Sequence, residues 1–118
     1  MPEVYAEPNA AFVALADAET VGCVAARGLD ASTLVLQRLY VPPACRGLGI
    51  AHALVGAVIA HARTRAYRRV VLDTDRERLA PAYRLYRALG FTECAQYAPV
   101  DYASPTFMEL LLSSTSAE

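Results

Sequence analysis

The sequence predicts an α/β domain built on a mixed sheet: an antiparallel meander followed by a β-α-β-α-β-β run. Three observations predict it. The first forty residues hold three apolar runs separated by short polar turns, the pattern of a strand meander. From Ala51 to Ala62 the apolar positions Ala51, Leu54, Val55, Val58, Ile59 and Ala62 then fall on one helical stripe. A second stripe, Leu79, Ala82, Tyr83, Tyr86 and Leu89, stops at Gly90, a residue suited to follow a helix.

Each element follows in order. Residues 1–9 carry two prolines and an asparagine and read as an extended lead-in. Strands are expected at Ala10–Ala16, Thr20–Arg27 and Thr33–Val41, with turns at 17–20 and 28–32. The first helix spans roughly 49–66, and its last turn carries Arg63 and Arg65, favourable at a helix C-terminus. Arg69–Asp73 is the next strand, and the second helix follows it. Phe91–Tyr97 and Thr106–Leu112 are the last strands, and the polar tail 113–118 reads as frayed. The length of 118 residues and 12.7 kDa fits one domain over the whole chain.

Composition narrows the class. With 55 % hydrophobic and 19 % charged residues, the chain can bury a core, which excludes wholesale disorder. Eleven basic residues, all arginine, against twelve acidic give a net charge of −1, so charge alone offers no nucleic-acid face. No apolar run approaches the roughly 18 residues of a membrane span, and Met1–Tyr5 lacks the features of a signal peptide. Cys23, Cys45 and Cys94 cannot all pair and have no metal-ligand spacing. A reduced cytoplasm and no metal are the expectations. His52 and His61 lie nine residues apart on one helix, too far to share an ion.

The chemistry-bearing stretch is Leu39 to Ala51, where a strand ends at prolines and a glycine-bearing turn opens a long helix. Backbone at Gly47 and Gly49 can approach a ligand closely. The first helical N–H groups lack internal acceptors and sit at the positive end of the dipole. Together they make a phosphate pocket, with Arg46 as an added charge. On residues alone, a plain strand-to-helix turn with Arg46 at the surface fits as well. The glycines match neither a P-loop nor a dinucleotide fingerprint. On residues alone, Tyr86 reads first as a core residue, Tyr83 as packing and Cys45 as a passive small residue, while His52 faces solvent as readily as it touches a phosphate.

Arg46-Gly47-Leu48-Gly49-Ile50-Ala51 resembles the Arg/Gln-x-x-Gly-x-Gly/Ala signature of the GNAT superfamily of N-acetyltransferases. Leu85-Tyr86-Arg87-Ala88-Leu89-Gly90-Phe91 resembles its Leu-Tyr-x-x-Leu-Gly-Phe element, and Arg38-Leu39-Tyr40-Val41-Pro42 its fourth strand. The resemblance covers about residues 10–112. It implies acetyl-CoA as co-substrate and an amine of a small molecule or peptide as acceptor. It places Leu39, Tyr40 and Val41 beside the pantetheine arm, and Arg46, Gly47, Leu48, Gly49, Ile50, Ala51 and His52 around the pyrophosphate. Tyr86 corresponds to the tyrosine that protonates the departing thiolate. The amine would attack the thioester directly, while an N–H at an irregularity near the end of Thr33–Val41 stabilises the oxyanion.

Family members usually begin with a strand and two helices, for which the nine leading residues leave no room. Val35 stands where many relatives carry a glutamate, and Leu79 near a cofactor-contacting asparagine. Glu3, Asp73, Glu93 and Asp101 are acidic candidates for a base, none with a spacing argument. A non-catalytic acyl-CoA-binding or interaction module is the alternative function. An apolar edge strand at Ala10–Ala16 would favour a homodimer. Neither nucleic acid nor membrane is an expected partner.

Overall fold

The computed structural model describes residues 2–5, 10–16, 19–102 and 104–112. Its elements are β1 (Pro2–Tyr5), β2 (Ala10–Ala16), β3 (Glu19–Gly28), β4 (Thr33–Tyr40), α1 (Ile50–Thr64), β5 (Arg69–Thr74), α2 (Ala80–Ala88), β6 (Thr92–Glu93) and β7 (Thr106–Leu111). A 3₁₀ turn at Pro43–Cys45 links β4 to α1. The strands form one seven-stranded sheet in the order β1-β2-β3-β4-β5-β7-β6. Neighbours are antiparallel except β4 and β5, which run parallel on either side of α1 in sequence.

That topology decides where the helices lie. β6 and β5 both run antiparallel to β7, so β6 runs parallel to β5. Both β-α-β crossovers therefore advance in the same direction, and the right-handed rule puts α1 and α2 on the same face of the sheet. The core confirms it: Leu54, Val55, Val58 and Ala62 of α1 and Tyr86 of α2 pack in one cluster with Val24, Leu34, Leu36, Val70, Leu72 and Met108. The opposite face carries Thr33 and Val35 of β4, Arg69, Val71 and Asp73 of β5, and Phe107 and Glu109 of β7, aligned by the strand register.

The expected fold class stands, with three corrections. Sequence periodicity gives no strand before Ala10, yet Pro2–Tyr5 pairs antiparallel with β2. A proline hides the signal, although a first residue on an edge strand needs no ladder donor. Ala10–Ala16 is therefore an inner strand, and the edge argument for a second copy falls. The third correction is that Phe91–Tyr97 is strand only at Thr92–Glu93, because the segment beyond leaves the ladder to cross towards Asp73. The tail 113–118 and residues 6–9 lie outside the described residues.

Candidate active site

The parallel pairing of β4 and β5 is short. It runs through Thr33↔Arg69, Leu34↔Val70 and Val35↔Val71 and then stops, although β4 continues to Tyr40 and β5 to Thr74. Beyond Val35 and Val71 the strands part, and the β5-facing edge of β4 is unpaired. The cause is in β4. Against β3, Cys23 pairs with Tyr40 but Ala25 with Gln37, so β4 carries one extra residue there. Arg38 takes a left-handed conformation at φ 59°, which bends the strand at this bulge. This is the irregularity expected near the end of Thr33–Val41.

The unpaired edge, carrying Leu39 and Tyr40, leads to the glycine turn. Val41 is buried, and its carbonyl accepts a 2.8 Å hydrogen bond from Arg46 Nε, which clasps the 3₁₀ turn and holds the guanidinium against the end of β4. Gly47 and Gly49 have φ of 81° and 79°, a region L side chains rarely adopt, and a Cβ built on either meets nothing within 4 Å. Space for a ligand therefore lies directly over this backbone. Gly49 caps α1 without any side chain, and the first i→i−4 bond runs from Ala53 N–H to the Gly49 carbonyl. The amides of Ile50, Ala51 and His52 stand free of helical bonding at the positive end of the dipole. Leu48 and His52 are exposed, and Ile50 and Ala51 half-buried. An anionic pyrophosphate fits this cradle.

Tyr86 is set by the end of its helix. Gly90 N–H donates to the Arg87 carbonyl and Phe91 N–H to the Tyr86 carbonyl, the paired bonds of a Schellman cap, with Gly90 at φ 103°. The cap brings the Phe91 ring edge-on to Tyr86 at 5.8 Å. Tyr86 is only 6 % exposed. Burial first, and the Asp73 charge second, push its hydroxyl up to about 12, so it stays protonated at neutral pH.

Asp73 is the feature the sequence left without an argument. It lies on β5 just beyond the last pair with β4, on the face opposite the helices. Tyr102 Oη donates to its Oδ2 at 2.6 Å and Tyr97 Oη to its Oδ1 at 3.3 Å. Both hydroxyls are held above the usual phenol range, by burial first and by Asp73 next. Tyr97 also packs edge-on against Phe107 at 5.3 Å, the residue paired with Asp73 across the ladder. These tyrosines come from 24 and 29 residues downstream, in a stretch with no periodicity to reveal them.

The other candidates separate from this site. Glu93 accepts from Tyr83 Oη and from Arg76, each at 2.7 Å, and those bonds hold its carboxyl below the usual range. Tyr83 is thus tied by its hydroxyl as well as packed. Glu93 and Arg76 border a polar cavity of about 500 Å³ lined also by residues including Asp75, Arg78, Cys94 and Phe107. Neither the glycine turn nor Tyr86 belongs to it. Val35 is buried, Leu79 is exposed just ahead of α2, and Asp101 is exposed. Cys45 is a half-buried free thiol. Glu3 has no described side chain. Among the described residues no cluster of His, Cys, Asp and Glu is suited to a metal.

Known proteins share this fold. Residues 2–91 match the model of the Acetyltransferase (GNAT) family. N-acetylaspartate synthetase of Xenopus tropicalis is 40 % identical over 87 residues, covering 72 % of this chain and 32 % of that protein. The chain thus spans about a third of that relative's length. A Klebsiella pneumoniae protein assigned as an acyl-CoA N-acyltransferase superposes with a TM-score of 0.81 at 27 % identity, covering 89 % of this chain and 73 % of its own. A GNAT family acetyltransferase from Elizabethkingia anophelis, solved with acetyl-CoA bound, shares the fold at a TM-score of 0.76 and 19 % identity over 88 % and 76 % of the two chains. On the match over residues 2–91, the chain belongs to the GNAT family of acetyltransferases.

Proposed function

We propose that this chain transfers an acetyl group from acetyl-CoA to an amine of a small molecule or peptide. The observation that carries the proposal is the unpaired edge of β4 beyond Val35, which leads from the bulge at Arg38 to the glycine turn. The pantetheine arm has amide groups that can pair with an open strand edge as an added strand would. Its pyrophosphate then reaches the amides of residues 47–52, with Arg46 beside them. The acetyl carbonyl lies at the bulge, where a re-aimed backbone N–H meets the developing oxyanion.

The neutral amine adds to the thioester carbon, and the C–S bond then breaks with its electron pair going to sulfur. Tyr86 supports that departure. A phenol near 12 lies about 3.5 units above a thiol of ordinary pKa, so full transfer alone costs about 5 kcal/mol. Tyr86 therefore hydrogen-bonds the sulfur as charge develops, and its proton crosses while the nitrogen's own proton restores the phenol. Thiol release from acetyl-CoA with a panel of amines tests the proposal. Turnover lost in Tyr86→Phe supports it, whereas tight CoA binding without turnover on any amine supports the non-catalytic module instead.

The remaining proposals concern setting and assembly. A cytoplasmic location, no metal and no nucleic-acid partner follow from three free cysteines and the charge balance. No described helix is long and apolar enough to cross a membrane. A homodimer rests on the face opposite the helices, where Ala11, Val13, Cys23 and Ala25 are half-buried and no described helix covers them.

A further inference from the structure

We propose that Gly22 of β3 is a positioning residue for the donor site. The missing side chain there sets how closely the start of α1 approaches the end of β4, and so the affinity for acetyl-CoA. This rests on the acetyltransferase reading above. Gly22 is buried and pairs with Ala14 of β2, and its neighbour Cys23 pairs with Tyr40 at the end of β4. A Cβ built on Gly22 would lie 2.9 Å from Ile50 Cγ2, 2.9 Å from Leu54 Cδ1 and 3.2 Å from the Tyr40 carbonyl oxygen. Ile50 opens α1 and supplies one of the cradle amides, while Tyr40 closes the unpaired edge. From within the core, Gly22 therefore lies against both halves of the donor site.

The three neighbours differ in how far they can yield. Leu54 Cδ1 is the far end of a flexible side chain, although Leu54 is fully buried and close packing resists its turning. Ile50 Cγ2 is bonded directly to Cβ, and a β-branched side chain in a helix holds essentially one χ1 rotamer. Relief there must come from the helix backbone. The Tyr40 oxygen is itself backbone. Carbon atoms rest about 3.5–4.0 Å apart, so a methyl group on Gly22 would push the first turn of α1 outward by about 0.5–1 Å. The amides of Ile50, Ala51 and His52 would move with it, away from the end of β4. Hydrogen bonds weaken steeply as their geometry degrades, and misplacing a binding group by about 1 Å can cost about 10²-fold. Glycine inside a strand weakens the sheet unless another element approaches closely, and α1 is that element here.

Calorimetric titration of acetyl-CoA into the wild type, Gly22→Ala, Ile50→Ala and the double variant tests the proposal. Gly22→Ala should raise Kd about 10–100-fold. Truncating Ile50 clears the space the new methyl needs and gives Leu54 room to turn. The double variant should therefore bind at least about fivefold more tightly than Gly22→Ala alone, the coupling expected of two residues in contact. A methyl that only destabilised the fold would lower the number of sites per chain, and kcat with it, at unchanged Kd and KM. Thiol-release kinetics of Gly22→Ala should instead show a raised KM for acetyl-CoA, with kcat held within about twofold. An unchanged Kd, a lower kcat at unchanged KM, or a double variant that binds no better than Gly22→Ala overturns the inference alone. If Gly22→Ala does not fold, adding it to Ile50→Ala decides: the methyl should refill the emptied seat and tighten binding, and equal or weaker binding overturns the inference. Failure of the wild type to bind acetyl-CoA overturns the acetyltransferase reading as well.

Discussion

Tyr86 sits in the core by burial and at the opening by charge, and both follow from one helix end. The Schellman bonds fix its backbone, Phe91 braces its ring, and the charge of Asp73 reaches its hydroxyl. Replacing Tyr86 by Phe removes an oxygen and little else. We expect kcat to fall about 10²–10⁴-fold, the usual contribution of a general acid, while acetyl-CoA affinity stays within twofold by calorimetry. A fall of less than severalfold would assign the proton to water. The same hydroxyl predicts a pH effect. Its folded pKa is raised to about 12 from about 10 in the unfolded chain. Below pH 10 both states hold the proton and no stability is lost. Between pH 10 and 12 the unfolded state ionises first, so stability falls by up to about 3 kcal/mol. Urea midpoints measured from pH 9.5 to 12 should drop further in the wild type than in Tyr86→Phe. The comparison isolates this residue, because Tyr97 and Tyr102 shift in the same direction.

The two helices end alike but with different residues. α2 closes with Gly90 in the left-handed position, whereas α1 closes with Ala66 at φ 63°, its N–H bonded to the Arg63 carbonyl and Tyr67 N–H to the Ala62 carbonyl. An alanine Cβ is strained there, and Ala66 is exposed. Ala66→Gly should therefore stabilise the chain by about 0.5–1 kcal/mol in chemical denaturation. Gly90→Ala should cost about 1–2 kcal/mol and loosen Tyr86, since its Cβ would also lie 3.2 Å from Leu110. These caps explain what could be read from the chain. Helices, the strands of the meander and the glycine turn announce themselves through local period and Gly placement. Pro2–Tyr5 does not, because four residues headed by a proline are too short a run to show a strand period, although their partners lie nearby at residues 11–14. Nor does the pairing of Tyr97 and Tyr102 with Asp73, which only the path of the segment between β6 and β7 creates. The bulge at Arg38 could be anticipated as an irregularity but not placed, since an arginine gives no glycine-like signal for a left-handed residue.

At the scale of the molecule, the sheet divides labour between its faces. The helix face supplies the core, the phosphate cradle and Tyr86, while the other face presents Asp73 and its tyrosines at the same opening. A second copy would cover the half-buried Val13, Cys23 and Ala25 on that face. Light scattering at micromolar concentration should then give twice the chain mass of 12.7 kDa, and a value near the single mass would sink the dimer. Donor binding at the opening is the central claim, and calorimetric titration of acetyl-CoA into the wild type and Gly49→Val tests it most directly. The side chain would enter the open space over the turn. With helix content matched by circular dichroism, the wild type should bind saturably with one site and Gly49→Val at least tenfold more weakly. Equal affinity in the two proteins would contradict the account.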